Sequence, residues 1–401
     1  MKQSVYADNA ATTRVSDSVA SAMMPYIQNI FGNPSSIYEL GRDTQKVIED
    51  CRSEVADIFG ASPREISFTS GGSESNNWAI KGAIATLKKR GKTHIITTNI
   101  EHHALLHPCE TLEKEGIKVT YLPVDDSGCI KASQVKDAIC DETGLVSVMF
   151  ANNEIGTIQP IKEIGEICKQ SKVWFHTDAV QAVGHIPINV NELNIDLMSI
   201  SGHKIHAPKG VGLLYVRKGV VLKNLIDGGE QEHGKRAGTE NIMGIVALTK
   251  ALSDVTTDIE EKNKKVIAMR DYLIENVLKS IPMARINGSL ENRLAGNANF
   301  SLFGVEGEAL LLKLDEYGIQ ASSGSACTTG SLDPSHVLLA IGLPHVVAHG
   351  SLRISINEQN TMDDINYILE SLPKVMEYTR QMSPIWTEKE IANFKEFYPQ
   401  H

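Results

Sequence analysis

The chain has 401 residues, with 39 Lys and Arg against 49 Asp and Glu, for a formal net charge of −10. At about 150 residues per domain this length fits two or three domains, and 42% hydrophobic with 22% charged residues is an ordinary globular composition. The acidic balance argues against nucleic-acid and anionic-membrane partners, which need clustered positive charge, and no apolar run approaches the roughly 18 residues of a membrane span. The N-terminus, MKQSVYADNAATT, lacks the apolar stretch of a signal peptide, so a cytoplasmic location is expected.

Taken in chain order, apolar β-rich runs alternate with helical patterns from about residue 65 to 216. The runs are EISFTS (65–70), HIITT (94–98), KVTYLPV (118–124), LVSVMFA (145–151), VWFHT (173–177), DLMSI (196–200) and GLLYV (212–216). Most are continuously apolar, as expected of strands covered on both faces. Helical patterns such as SNNWAIKGAIATLKKRG lie between them, which is the signature of βαβ units and a largely parallel sheet. After residue 258 the texture changes. A charged helical stretch (258–281), short β runs at 297–303 and 351–356, and further helical patterns predict a smaller α+β domain. The division is drawn at 15–258 for the large domain, with 1–14 and 259–401 forming the small one. Residues 1–14, poor in strand signals, could by their own pattern belong to either body.

Ligands of open α/β sheets bind at the carboxyl ends of the strands, so the residues just past each run carry the functional reading. The first run leads through TSGGSES into a helix. Small residues there leave backbone N–H groups aimed at an anion, although a plain N-cap accounts for Ser73 as well. EHH (101–103), NNE (152–154), HTDAVQ (176–181) and SGHK (201–204) end later runs, which gathers His, Asp and Lys on one edge. His102, His176 and His203 are zinc ligands by type, but the carboxylate set is incomplete and no metal is expected. Lys204 directly follows an apolar strand, where a desolvated amine is suited to a Schiff base. Asp178 could pair with a protonated pyridine nitrogen, and Lys, Asp and a phosphate cradle together are what pyridoxal phosphate requires. The six cysteines show no C-x-x-C pair. Five read as small buried or half-buried residues, whereas Cys327 sits in the small, polar stretch SSGSACTTGS.

With these blocks in view the chain resembles the NifS/IscS cysteine desulfurases, of the class V aminotransferase branch of PLP enzymes, over essentially its whole length. The resemblance rests on DNAATT (8–13), FGNPSS (31–36), FTSGGSESNN (68–77), ANNEIGTIQP (151–160), HTDAVQ, SGHK, PKGVG (208–212), RAGTEN (236–241), SSGSAC (322–327), LDPSHVL (332–338) and SLRIS (351–355), in that order. It implies PLP-dependent transferase fold type I, with a mostly parallel seven-stranded sheet. By similarity, Lys204 bonds the cofactor, His102 stacks on its ring and relays protons, Asp178 holds the pyridinium proton and Gln181 donates to the phenolate oxygen. Gly72 and Ser73 of the GGS turn, Ser201 and His203 would hold the phosphate. Thr239 would reach the phosphate of a neighbouring subunit, which makes a homodimer. Arg353 would grip the carboxylate of L-cysteine, with Asn153 and Asn33 beside it, and Cys327 would receive the sulfur as a persulfide.

The 25 residues between Cys327 and Arg353 match the long-loop group of the family, which hands sulfur to an iron–sulfur scaffold or another acceptor protein. MSPIW resembles the family's scaffold-docking end, but TEKEIANFKEFYPQH departs from the pattern and reads as an additional charged helix or tail. A selenocysteine lyase of the same family and a catalytically idle dimeric sulfur-transfer scaffold are the alternatives; the second is expected to lose Lys204, Cys327 or Arg353, and all three are present.

Overall fold

A computed structural model describes residues 4–323 and 334–398. The first strand, β1 (Val5–Tyr6), belongs to a two-stranded sheet completed far along the chain. The next seven are β2 (Ile66–Thr69), β3 (His94–Thr98), β4 (Lys118–Leu122), β5 (Thr143–Ser147), β6 (Trp174–Asp178), β7 (Leu197–Ser201) and β8 (Gly212–Val216). They form one sheet in the order β2-β8-β7-β6-β5-β3-β4. The pairs from β4 through β7 are parallel, while β8 runs antiparallel to both β7 and β2. Each of the seven expected apolar runs overlaps one of these strands, and the fold is that of the PLP-dependent transferases of type I, as expected.

Continuous apolar runs mark the central strands because both faces are covered. Along β8, Leu213 and Tyr215 pack into one core with helices Glu39–Phe59, Ile161–Ser171 and Ile242–Thr256. Leu214 and Val216 pack into the opposite core with helices Gly72–Leu87 and His103–Lys114. The run expected over 145–151 is paired only as far as Ser147. Beyond it the backbone still bonds towards β6, through Val148 N–H to His176 and Phe150 N–H to Asp178. On the other side the pairing with β3 stops at Ile96 opposite Val146.

The remaining strands are β9 (Ala284–Asn287), β10 (Asn297–Leu302), β11 (Ile319–Gln320) and β12 (Ser351–Ser355). β12-β10-β9 form an antiparallel sheet, and β1 pairs in parallel with β11. Val5 and Ala7 share a core with this sheet and with helices Ile259–Ser280, Gly307–Glu316 and Met362–Gln381. The sequence departure at the C-terminus contains the helix Glu388–Phe394, N-capped by Thr387. Its charge pattern understates its packing, because Phe394 and Tyr398 stack around Phe303 at 5.6 and 5.8 Å between ring centroids. No helix among the described residues is long and apolar enough to cross a membrane.

Candidate active site

Because β8 is antiparallel to both neighbours, β2 and β7 run the same way, and their carboxyl ends meet on the edge already occupied by β3, β5 and β6. A cavity of about 580 Å³ opens there. It is lined by Gly72, Ser73, His102, Asn153, Asp178, Gln181, Ser201, His203, Lys204 and Arg353. Ten expected site residues, from strands distant in sequence, therefore share one chamber.

Close approach explains the glycines of the first turn. A Cβ on Gly72 would lie 2.8 Å from Val180 Cγ2 and 3.4 Å from Ser201 Cβ, and a Cβ on Gly212 would lie 2.6 Å from the backbone of Gly71. The bare turn opens the 16-residue helix Gly72–Leu87, whose first N–H groups and dipole favour an anion. Asp178, at the end of β6, is buried. Its Oδ2 accepts from Asn76 Nδ2 at 2.6 Å and its Oδ1 from the Val180 N–H at 3.0 Å. Both bonds fix the orientation of a side chain that lines the cavity.

Lys204 ends the short turn after β7, and its Nζ donates to the carbonyls of Ala10 and Ala11 at 2.8 and 2.6 Å. Gln181 Nε2 also donates to Ala10, at 3.0 Å, so the DNAATT segment forms part of the cavity floor. His203 bonds Thr12 Oγ1 at 3.2 Å, and burial together with the charges of Lys204 and Lys209 holds its pKa down to about 4. His102 caps the following helix, with Nδ1 accepting from the Ala104 N–H at 3.0 Å. Burial lowers its pKa, so the ring enters the site neutral with its other nitrogen protonated. His176 is placed elsewhere: both ring nitrogens are taken within the sheet, by Ser147 at 2.7 Å and Ser199 at 3.0 Å. Among the described residues, no group of three or more His, Cys, Asp or Glu is arranged to hold a metal ion.

Arg353 projects from β12 into the opposite wall. Its guanidinium donates to Asp8 Oδ1 at 2.8 Å and to the Asn153 carbonyl at 3.0 Å, while Nε is buried and has no hydrogen-bond partner among the described residues. Its backbone pairs with Ser322, just before residues 324–333. Cys327 lies outside the described residues.

Two expected residues are not on the cavity wall. Asn33 is exposed and turns its Oδ1 onto the Ser35 N–H at 3.0 Å. Thr239 is exposed as well. The segment before it is pinned by a buried ion pair, Arg52 Nη1 to Glu232 Oε2 at 2.7 Å, and by Arg236 to Glu74 at 2.8 Å. Behind Lys204, His206 bonds Glu358 at 3.2 Å and so ties the turn after β7 to the segment after β12.

Sequence reading assigned no role to Asp8, Asn76 or Glu154. Each lay inside a block that carries the resemblance, but nothing in residue type or spacing distinguishes a carboxylate or amide that supports a site residue from one that caps a turn.

The class-V aminotransferase model matches residues 5–368. Cysteine desulfurase IscS of Clostridium botulinum is 54% identical over 390 residues, covering 97% of this chain and 98% of the relative. Among solved structures, a NifS-like protein superposes with a TM-score of 0.88 at 38% identity, covering 94% of this chain and all of its own. SspA in complex with cysteine gives 0.79 at 38% identity, covering 88% and 99%. The chain belongs to the class-V aminotransferase family, within its cysteine desulfurase branch.

Proposed function

We propose that the cavity binds pyridoxal 5′-phosphate on Lys204 and L-cysteine at Arg353, and that the protein passes the substrate sulfur to Cys327 while releasing L-alanine. The observation that carries this reading is one chamber lined by a strand-end lysine, a buried carboxylate, a glycine-walled helix start and a buried arginine fork. The fit to the cofactor is chemical. Gly72, Ser73, Ser201 and His203 offer small walls and donors suited to a phosphate, and Asp178, held by Asn76 and Val180, offers a fixed carboxylate for a ring nitrogen.

When bound, the cofactor supplies an electron sink that makes the Cα proton of the substrate removable. The chain's own residues do the rest. Lys204 Nζ takes the Cα proton, and the Ala10 and Ala11 carbonyls orient that amine. The neutral ring of His102 would stack on the cofactor and move protons through Nε2, since its Nδ1 accepts from the Ala104 N–H. Gln181 and Asn153, which line the cavity, position the ring and the substrate. Arg353 binds the α-carboxylate through a planar fork that lysine cannot reproduce. The Cys327 thiolate attacks the substrate sulfur. An S–S bond forms as Cβ–S breaks, the electron pair stays with carbon, a proton is added at Cβ, and Lys204 returns the Cα proton to complete alanine.

In this reading residues 15–258 form the cofactor-binding domain, and 1–14 with 259–401 form the smaller one. The working unit is a cytoplasmic homodimer in which Thr239 serves the partner's phosphate site, in keeping with its exposure outside its own cavity. The persulfide passes to an iron–sulfur scaffold or a comparable acceptor.

The test is Cys327→Ser. It should keep the cofactor colour but lose nearly all alanine production from cysteine. In the native protein, cysteine should add the mass of one sulfur atom to the Cys327 peptide and to none bearing the other cysteines. Alanine formation at the native rate by Cys327→Ser refutes the persulfide route and favours a lyase without a thiol nucleophile.

A further inference from the structure

We infer that Glu154 is a positioning residue: through Ser335, its carboxyl holds the C-terminal anchor of the segment bearing Cys327 in register with Arg353. This inference rests on the desulfurase reading above and assigns a role to a group that the reading does not use.

The described residues on either side of 324–333 are held at two points. At the first, Ser322 exchanges backbone hydrogen bonds with Arg353, at 3.1 and 2.6 Å, and the Ser323 carbonyl accepts from Ser351 Oγ at 2.7 Å. The N-terminal anchor is therefore fixed to the strand that carries the substrate-gripping arginine. At the second, Ser335 Oγ donates to Glu154 Oε2 and itself accepts the N–H groups of Val337 and Leu338 at 3.1 and 3.3 Å. One hydroxyl thus caps the helix His336–Ala340 and binds a buried carboxyl.

Glu154 is well placed for such a clasp. It is 5% exposed and follows Asn153, whose carbonyl receives Arg353. Its N–H is held by Asn152 Oδ1 at 2.9 Å, and its own carbonyl accepts from Asn297 and Asn299 of β10, each at 3.1 Å. The turn after β5 therefore meets the strand beside β12, the Arg353 fork and the loop anchor within two consecutive residues. A plain structural carboxylate would be expected at the surface or in an ion pair. Here the side chain is kept in the interior, where burial pushes it up to about 7 despite the Ser335 bond and the Arg353 charge. Glutamine, which keeps the acceptor oxygen without the charge, is therefore a fair mimic.

The experiment follows two signals in the cofactor-loaded enzyme during the first turnover: the absorbance change on adding cysteine, and the persulfide trapped on Cys327. Glu154→Ala leaves the Ser335 cap in place but removes the clasp. It should slow persulfide formation roughly 5- to 100-fold, the range for loss of one buried hydrogen bond. Cofactor content and the cysteine dependence of the absorbance change should stay native. Ser335→Ala should act similarly, and the double variant should be no slower than the slower single, because the two residues share one contact. Glu154→Gln should restore most of the rate, which general loosening of the fold would not allow. A native persulfide rate in Glu154→Ala, a glutamine variant as slow as alanine, or multiplying effects in the double variant each overturn the assignment. Should the native protein form no persulfide at all, the desulfurase reading is the one that fails. Alkylation of Cys327 by iodoacetamide in the resting protein then still tests the clasp, and a rate unchanged by Glu154→Ala refutes it.

Discussion

The substitution Gly72→Ala tests how closely the cofactor cradle is built. The added methyl would sit 2.8 Å from Val180 Cγ2, and 3.4 Å is the lower limit of ordinary contact, so the turn or Val180 must yield by about 0.6 Å. Overpacking of this kind costs about 1–3 kcal/mol. The backbone of residue 72 needs no left-handed conformation, so the whole effect is steric. A shift of about 0.6 Å takes a phosphate hydrogen bond from about 2.9 Å to about 3.5 Å, beyond useful length. Loss of one charge-assisted bond should then weaken pyridoxal phosphate binding about 10- to 100-fold. Absorbance titration of the apoprotein reads this directly, and thermal melts of the apoprotein register the packing cost separately. Val180→Ala removes the clashing methyl, so the double variant should recover most of the affinity. Unchanged affinity in Gly72→Ala, or no recovery on adding Val180→Ala, refutes the cradle.

Two further outcomes follow from pairs described above. Glu232→Gln leaves Arg52 buried beside a neutral partner and should cost about 3–5 kcal/mol, read as a lower urea midpoint at unchanged slope; a midpoint at the native value would sink this. The His206–Glu358 pair predicts a pH window. Against the opposing effect of burial, the Glu358 hydrogen bond and charge raise His206 above its usual 6.5, so its contribution is present below 6.5 and fades as pH rises through the folded value. Glu358, also against burial, is pulled down from 4.5 to about 2 by His206, so its contribution is present above 4.5 and fades as pH falls towards 2. The stability difference between native and His206→Gln proteins should peak between pH 4.5 and 6.5 in thermal melts and shrink on the alkaline side. A difference that widens above neutrality contradicts the pairing.

The large sheet was legible in the sequence because parallel strands covered on both faces are written as unbroken apolar runs. HIITT and GLLYV match β3 and β8 residue for residue. Edges and short pairings were harder to see. ARIN, four residues of β9, is too short for its apolar–polar alternation to stand out, and the two-residue partners β1 and β11 exist only through tertiary contact. Residues whose type declares their chemistry, such as Lys204, Asp178 and Arg353, were found from strand ends and blocks. Their supports were not: the amide of Asn76 and the carboxyls of Asp8 and Glu154 gain meaning only from what lies within 3 Å of them.

The pairing of the chain's beginning with its end has a consequence for biosynthesis. Asp8 awaits Arg353, the Asn9 N–H awaits the Ser355 carbonyl, and β1 awaits β11. Yet the Ala10 and Ala11 carbonyls that this arrangement holds are the ones that orient Lys204. A ribosome delivers residues 8–11 first and their partners about 340 residues later, which at about 5–20 residues per second is roughly 20–70 s. For about the last 140 of those residues, roughly 7–28 s at the same rate, the nascent large sheet presents its lysine over an unfinished floor. Cofactor capture should therefore be a late, post-release event. A chain stopped before residue 351 should emerge colourless, even though every cavity residue drawn from the large sheet has already been made.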